Sequence, residues 1–304
     1  MTRVDLVGVP FDGFGRPGNQ ARAASALREA GFAKAFERHE VVAADDLELP
    51  PGDGSRADGS GLLNEAALIA MTDTLNERVA PDIRAGIFPV VYGGDCSSLL
   101  GSITGLRDAV GSCGLLFVDG HEDTMPLDVS EDGEAANTEI GLLLGLTGYS
   151  APESLRARLP VLSDANLAVV GPRDEAWRRR FNVGSLRDRG VWQRSVEEIA
   201  AGPAGVARDA VGHLLGAADD WWLHIDLDVL DPVEFPSQGL PGVEDAPGGL
   251  TWPHLTDLAG AAASMIGCRG LSLTIYDPDQ DSDLSDAAQI VKLAAVIASK
   301  RAEQ

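Results

Sequence analysis

Residues 114–123, GLLFVDGHED, form an apolar run that passes directly into charged residues. A near-continuous apolar run of this length is typical of a strand buried on both faces of a parallel sheet. Residues 222–228, WLHIDLD, repeat the arrangement with two aspartates at the end. Because ligands of open α/β sheets collect at the carboxyl ends of the strands, both stretches predict the fold and the position of a site.

Similar apolar runs recur along the chain and alternate with amphipathic segments of helical length. This alternation predicts an α/β fold with a mostly parallel sheet covered by helices on both faces, in a single domain over residues 1–304. Stretches rich in glycine and proline, at 12–19, 50–61 and 232–249, are interpreted as loops. Strands are predicted at 4–9, 88–92, 114–118, 167–170, 222–227 and 270–275, and helices at 21–30, 63–83, 98–110, 176–180, 206–218, 252–264 and 286–302.

The composition excludes several classes of partner. A net charge of −23 works against nucleic-acid binding, and it favours a small cationic substrate or simply keeps the protein soluble. No segment approaches the roughly 18–20 apolar residues of a membrane helix, and the N-terminus lacks the apolar core of an export signal. The cysteines are three, Cys96, Cys113 and Cys268, and this odd number predicts reduced thiols in a cytoplasmic protein.

The residues after the two quoted strands have the chemistry of metal ligands. If the backbone stays extended, Asp119, His121 and Asp123 project to the same side, where they form a metal site or a polar turn that caps a helix. Asp226 and Asp228 share one face in the same way, and two buried like charges are costly unless a cation offsets them. Ligation rich in carboxylate favours Mn²⁺ over structural zinc, and two such ions activate water.

A third predicted strand ends in residues 92–98, YGGDCSS. The paired glycines permit a tight turn from strand to helix and a close approach of the backbone. Cys96 is either a thiolate ligand of the metal cluster or a small buried residue at the start of a helix.

Together these segments resemble the ureohydrolase family of arginases, agmatinases and formiminoglutamases along nearly the whole chain. The motifs are residues 93–97, GGDCS, residues 119–123, DGHED, and residues 224–232, HIDLDVLDP. Weaker similarities lie at residues 7–10, 171–174 and 247–250. The chain resembles an atypical member, because Cys96 stands where the family has its first histidine ligand.

The resemblance implies a three-layer α/β/α domain, assembled as a trimer or hexamer, and two Mn²⁺ ions. It implies hydrolysis of a C–N bond in a guanidine or amidine compound by a hydroxide that bridges the metals. Asp123 is expected to orient this hydroxide and pass on its proton. The expected metal ligands are Cys96, Asp119, His121, Asp123, Asp226 and Asp228, and the expected catalytic residues are Asp123, Glu139 and His224.

Several positions depart from the family pattern. His224 replaces a serine and is either a substitute ligand or a hydrogen-bonding neighbour of the ligands. Ile275 stands where the family has the glutamate that grips the guanidinium group. This leaves Asp277 or Asp279 as its replacement, or a changed substrate group.

The loop at residues 132–139 lacks the histidine that shuttles protons in arginases. Within this loop, Glu134 and Glu139 are candidates for contact with the substrate. The alternative is that they cap a helix. Together with the loops at 12–19 and 232–249, residues 128–139 are expected to set substrate specificity.

These departures argue against an ordinary arginase. A cysteine at position 96 resembles the branch that acts on Nω-hydroxy-L-arginine. Two alternatives remain, a catalytically silent metal-binding relative and a zinc deacylase. Deacylases of this architecture use adjacent histidines, and the sequence contains no such pair.

Overall fold

One sheet of eight parallel strands runs through the residues that this computed structural model describes, namely 2–14, 19–147, 150–238 and 248–303. The strands are β1 (Arg3–Gly8), β2 (Glu40–Asp46), β3 (Ile87–Tyr92), β4 (Gly114–Val118), β5 (Leu167–Val170), β6 (Trp192–Arg194), β7 (Trp221–Asp226) and β8 (Cys268–Thr274). Their order is β2-β1-β3-β8-β7-β4-β5-β6, and neighbours pair in parallel. The predicted sheet is confirmed, whereas residues 15–18 and 239–247 of the predicted specificity loops lie outside the described residues.

The two strands that the sequence did not predict lie at the edges of the sheet. The side chains of β2 are half-buried or exposed along its whole length, and β6 has only 3 residues. An edge strand is covered less completely than a central one, so neither carries the continuous apolar run that marks the other strands.

Helices cover both faces of the sheet and confirm the three-layer α/β/α architecture. Successive residues of a strand point to opposite faces, so Leu6 belongs to the apolar cluster on one face of the sheet and Val7 to the cluster on the other. No helix in the described ranges has the length and apolar character needed to cross a membrane. The helices are α1 (Ala23–Glu29), α2 (Glu65–Arg84), α3 (Leu99–Val110), α4 (Glu139–Leu143), α5 (Glu153–Arg156), α6 (Glu175–Arg180), α7 (Val196–Ala201), α8 (Pro203–Leu215), α9 (Trp252–Ala263) and α10 (Ser285–Ala302).

The order of the central strands decides where distant parts of the sequence meet. Strands β3, β8, β7 and β4 are neighbours although β3 and β8 lie far apart in the chain. Because the strands are parallel, their carboxyl ends share one edge of the sheet. The segments after β3 and β4 therefore lie beside the ends of β7 and β8.

Candidate metal centre

Four overlapping sets of possible metal-binding side chains lie at this edge of the sheet. In each set, one donor atom per residue lies within 4.8 Å of the others. Asp119 belongs to three of the sets and so occupies the middle of the group. The sets are Cys96–Asp119–His224, Cys96–Asp123–Glu139, Asp119–His121–Asp123 and Asp119–Asp226–Asp228, and they bring together every candidate ligand and catalytic residue named above.

The sequence interpretation assumed an extended backbone for the loop that carries Asp119, His121 and Asp123. The observed loop is not extended. Strand β4 ends at Val118, and Asp123 has a φ of +44°, in the left-handed region. The three side chains converge because the loop turns, so the predicted grouping is found but alternation along a strand is not its cause.

Glu122, which the sequence interpretation did not single out, holds this loop in place. Its buried carboxylate accepts hydrogen bonds from Ser185 Oγ at 2.7 Å, the Leu186 amide at 2.6 Å and Gln193 Nε2 at 2.8 Å. Arg178 lies 3.1 Å away and supplies a positive charge. A buried carboxylate with this many partners fixes the backbone between His121 and Asp123.

The end of β7 also turns sooner than predicted. Strand β7 ends at Asp226, and a 3₁₀ turn at Leu227–Val229 follows, in which Asp226 Oδ1 accepts the Asp228 amide at 2.7 Å. Asp228 Oδ2 lies 2.9 Å from His121 Nδ1 and thereby orients that ring. The His121 side chain is 39% exposed, so it lies at the open side of the group.

Burial shifts the acid–base properties of the carboxyl groups. Burial, reinforced by Asp228, raises the pKa of Asp119 to about 7. Burial also raises the pKa values of Asp123 and Asp226 well above the ordinary aspartate value, and neighbouring carboxylates raise them further. Although burial acts in the opposite direction, the attraction of His121 and Arg173 lowers the pKa of Asp228 to about 2.

These carboxylates fit a cluster of divalent cations. Asp119 Oδ2 is buried and has no hydrogen-bond partner among the described residues. Like charges buried together are unfavourable unless positive charge compensates them, and oxygen-rich sets with one imidazole suit Mn²⁺ and similar ions.

Cys96 reaches the centre through the glycine turn after β3. A Cβ on Gly93 would lie 2.6 Å from the Ala24 nitrogen, so only glycine permits this close approach. The thiol is buried and donates to Asp226 Oδ2 at 2.7 Å, with Thr274 Oγ1 at 3.1 Å. Burial, followed by repulsion from Asp226, raises the thiol pKa well above its ordinary value.

His224 lies one layer deeper than Asp226 on the same strand. Its Nδ1 is 2.7 Å from Ser272 Oγ, and its ring stacks on Phe117 with a centroid separation of 5.2 Å. Burial lowers the pKa of His224 to about 3, so the ring is neutral. Its Nε2 atom is buried and unpartnered within the described part of the chain.

Glu139 is the first residue of α4, a helix that the sequence did not predict. It is fully buried, and burial raises its pKa well above the ordinary value. Both of its oxygens lack a hydrogen-bond partner among the described residues, although Asp123 is near enough to affect its pKa. Glu139 makes no capping hydrogen bond, but it is the acidic residue in the first turn of α4, so both interpretations of this residue stay open. Glu134 likewise makes no capping hydrogen bond from its position before the described 3₁₀ turn at Ala135–Asn137.

The two candidates for the missing glutamate are engaged elsewhere. Asp277 accepts the Asp279 amide at 2.9 Å and Gln280 Nε2 at 2.8 Å. Asp279 accepts the Asn19 amide at 2.8 Å and Arg22 at 2.5 Å. Both carboxylates stabilise loop structure, which argues against either as a free group for binding a guanidinium.

A family comparison agrees with this geometry. The model of the Arginase family matches residues 2–299, and the chain belongs to this family. Hydrolases of the family act on C–N bonds and typically depend on two metal ions. The resemblance inferred from the three motifs is thereby confirmed.

Individual relatives place the chain at some distance from characterised members. It is 27% identical to the arginase of Bacillus caldovelox over 258 residues, and this aligned region covers 83% of each chain. The structure of that arginase superposes with a TM-score of 0.85 at 22% identity and covers 100% of this chain and 99% of the other. The proclavaminate amidino hydrolase of Streptomyces clavuligerus gives a TM-score of 0.71 at 20% identity, with coverage of 99% and 92%. At such identities the structural likeness concerns the fold.

Proposed function

We propose that this protein hydrolyses a C–N bond in a small cationic guanidine or amidine compound. The observation that carries the proposal is the convergence of four donor sets around Asp119 at the shared carboxyl edge of the sheet. The names of similar proteins, arginase and amidino hydrolase, point to the same chemistry.

The residues that would hold two divalent ions are Cys96, Asp119, His121, Asp123, Asp226 and Asp228. When bound, such a pair supplies an activated water for attack on an electrophilic carbon. Manganese is the proposed metal for the oxygen-rich part of the centre, because its ligands there are carboxylates and one imidazole.

Asp123 is the proposed proton carrier. It is 6% exposed and belongs to two donor sets, one of which contains Glu139. A carboxylate whose pKa is raised by burial can take up a proton more readily than an exposed one and release it to a departing amine. Asp123 would thus both help to hold the metal and carry the proton.

Glu139 is the proposed partner of the substrate cation. Its buried carboxyl group interacts with Asp123 inside the donor group and lies next to the other candidate ligands, whereas Asp277 and Asp279 are engaged in their loop. A guanidinium or amidinium group offers N–H donors that match a carboxylate. The changed position of this acid, on α4 instead of after β8, favours a substrate other than arginine itself.

A release assay tests the proposal. The full chain, loaded with Mn²⁺, is incubated with arginine, agmatine, guanidinobutyrate, formiminoglutamate and Nω-hydroxy-L-arginine, and urea, ammonia or hydroxyurea is measured. We expect turnover of at least one compound. Bound metal without turnover of any amidine would favour the silent relative, and acetate release from an acetylated polyamine would favour the deacylase.

A further inference from the structure

One donor set differs in chemistry from the rest of the centre. Cys96, Asp119 and His224 each offer one atom within 4.8 Å of the others, and all three side chains are fully buried. Sulfur and imidazole nitrogen are softer donors than the carboxylates of the Asp119–His121–Asp123 set. Of the four sets, this is the one that combines sulfur with imidazole nitrogen, and it shares Asp119 with the carboxylate-rich set that contains His121.

The His224 ring is held in one orientation from several sides. Strand partner Ser272 contacts Nδ1 at 2.7 Å, and the Trp222 indole N–H donates to the same Ser272 oxygen at 2.9 Å. Phe117 stacks almost parallel to the ring, with an interplanar angle of 8°. A hydrogen bond at one ring nitrogen fixes the ring orientation and directs the other nitrogen, as is usual for histidines that bind metals. Metal binding through Nε2 requires the tautomer in which Nδ1–H donates to Ser272 Oγ, an oxygen that can accept this bond and the one from Trp222.

The free nitrogen of that ring faces groups that can share a cation with it. His224 Nε2 and Asp119 Oδ2 are both buried and unpartnered in the part of the chain that the structure describes. The thiol of Cys96 completes the set, and Asp226 Oδ2 lies 2.7 Å from its sulfur as a possible fourth donor. Cys, His and carboxylate donors in a four-ligand set are characteristic of zinc.

We propose that Cys96, His224 and Asp119 bind a thiophilic divalent ion such as Zn²⁺, while the carboxylate-rich set binds Mn²⁺, so that the loaded protein is heterobimetallic. His224 thereby supplies the nitrogen ligand that the family pattern loses at position 96. The inference rests on the proposed metal-dependent function, but it concerns metal selection and can be tested without a substrate.

Metal analysis and spectroscopy of the full-length protein test the proposal. The metal-free chain is loaded with equimolar Zn²⁺ and Mn²⁺, and we expect one equivalent of each after gel filtration. Replacing zinc by Co²⁺ should give an intense near-ultraviolet band from sulfur-to-cobalt charge transfer. X-ray absorption at the zinc edge should show sulfur and imidazole neighbours.

Two variants assign these signals. Cys96→Ser should abolish the charge-transfer band, and His224→Gln should remove the imidazole from the zinc shell. Each should weaken zinc binding by at least about 10–100-fold and leave one Mn²⁺ bound. Matched controls are Cys113→Ser and His39→Gln, which alter another buried cysteine and another buried histidine outside the four donor sets.

The outcomes separate this inference from the proposed function. If the protein binds two Mn²⁺ ions and turns over a substrate, and X-ray absorption shows no sulfur neighbour for zinc, the heterobimetallic proposal is wrong. The proposed hydrolase function would still stand. If the protein binds one Zn²⁺ and one Mn²⁺ but turns over no substrate, the heterobimetallic proposal is supported and the proposed hydrolase function is contradicted. If the variants fold poorly, the absorption spectrum of the unaltered protein alone decides whether sulfur binds the metal.

Discussion

Arg178 lies 3.1 Å from the carboxylate of Glu122, and both side chains are buried beneath the loop that carries three candidate ligands. Arg178 also bonds to Asp174 at 3.0 Å, so one guanidinium compensates two buried acids. The backbone on either side of Glu122 leads directly to His121 and Asp123. A charge interaction outside the four donor sets therefore determines where two of the candidate ligands stand.

Replacing Arg178 by methionine should destabilise the protein strongly. The change leaves Glu122 as a buried charge without its cation, which costs about 3–5 kcal/mol. Urea unfolding measures the loss. Arg179→Met is the matched control, since Arg179 pairs with Glu175 in the same helix but is largely exposed, and its effect should stay below about 1 kcal/mol. Equal effects of the two variants would contradict this account.

Gly270→Ala should disturb the packing behind the His224 ring. A Cβ at position 270 would lie 2.0 Å from the Trp222 ring, whose indole N–H holds Ser272. Overpacking of this kind costs about 1–3 kcal/mol. Gly212→Ala is the control, because nothing lies within 4 Å of its added methyl group and the change should stabilise α8 by about 0.5–1 kcal/mol. A neutral Gly270→Ala variant in thermal unfolding would show that Trp222 moves aside freely.

The metal-free protein should lose stability as pH rises from about 5 to 8. The pKa of Asp119 is about 7 in the folded chain against an ordinary value of 3.8, and burial raises those of Asp123, Asp226 and Glu139 in the same direction. A raised carboxyl pKa stabilises the fold at low pH, and this contribution disappears as pH rises through the folded value. The lowered pKa of His224 has the opposite effect, because it makes stability rise with pH. This contribution changes only below the ordinary histidine pKa of 6.5.

Metal should reverse this trend, because ligands bind metal in their deprotonated form. Thermal unfolding is followed from pH 5 to 8 in chelator and in excess Mn²⁺. We expect the melting temperature to fall with pH in chelator and to rise in metal. Asp119→Asn should flatten the chelator curve. Parallel curves in the two conditions would contradict the interpretation that the carboxylates are compensated by cations.

Asp123→Asn should lower turnover of an accepted substrate by at least about 100-fold, because an amide cannot carry the proton. The measurement is kcat together with metal content, which separates proton transfer from metal loss. Asp108→Asn is the control. Asp108 lies near the far end of α3, about 14 Å along the helix axis from Leu99 at its start, and its replacement should leave kcat unchanged. Full activity of Asp123→Asn would remove Asp123 from the mechanism.

The sequence predicted the central strands and most long helices because their cause is local. A strand buried on both faces, such as β4, needs a continuous apolar run, and an acidic motif directly after it marks the end of the sheet that binds ligands. Strands β2 and β6 escaped prediction because an edge position is a property of the assembled sheet.

Apart from Glu139, the donor residues were determined by the sequence alone, since their types and order are visible in three short motifs. Only the tertiary structure decided how they meet. The loop that groups Asp119 with Asp123 turns through a positive φ supported by Glu122, and its partners in the 185–193 segment come from distant sequence. The free nitrogen of His224 likewise depends on Ser272 and Phe117 from neighbouring strands. Hydrogen bonds and burial between distant segments are fixed by the order of the strands, which local sequence does not encode.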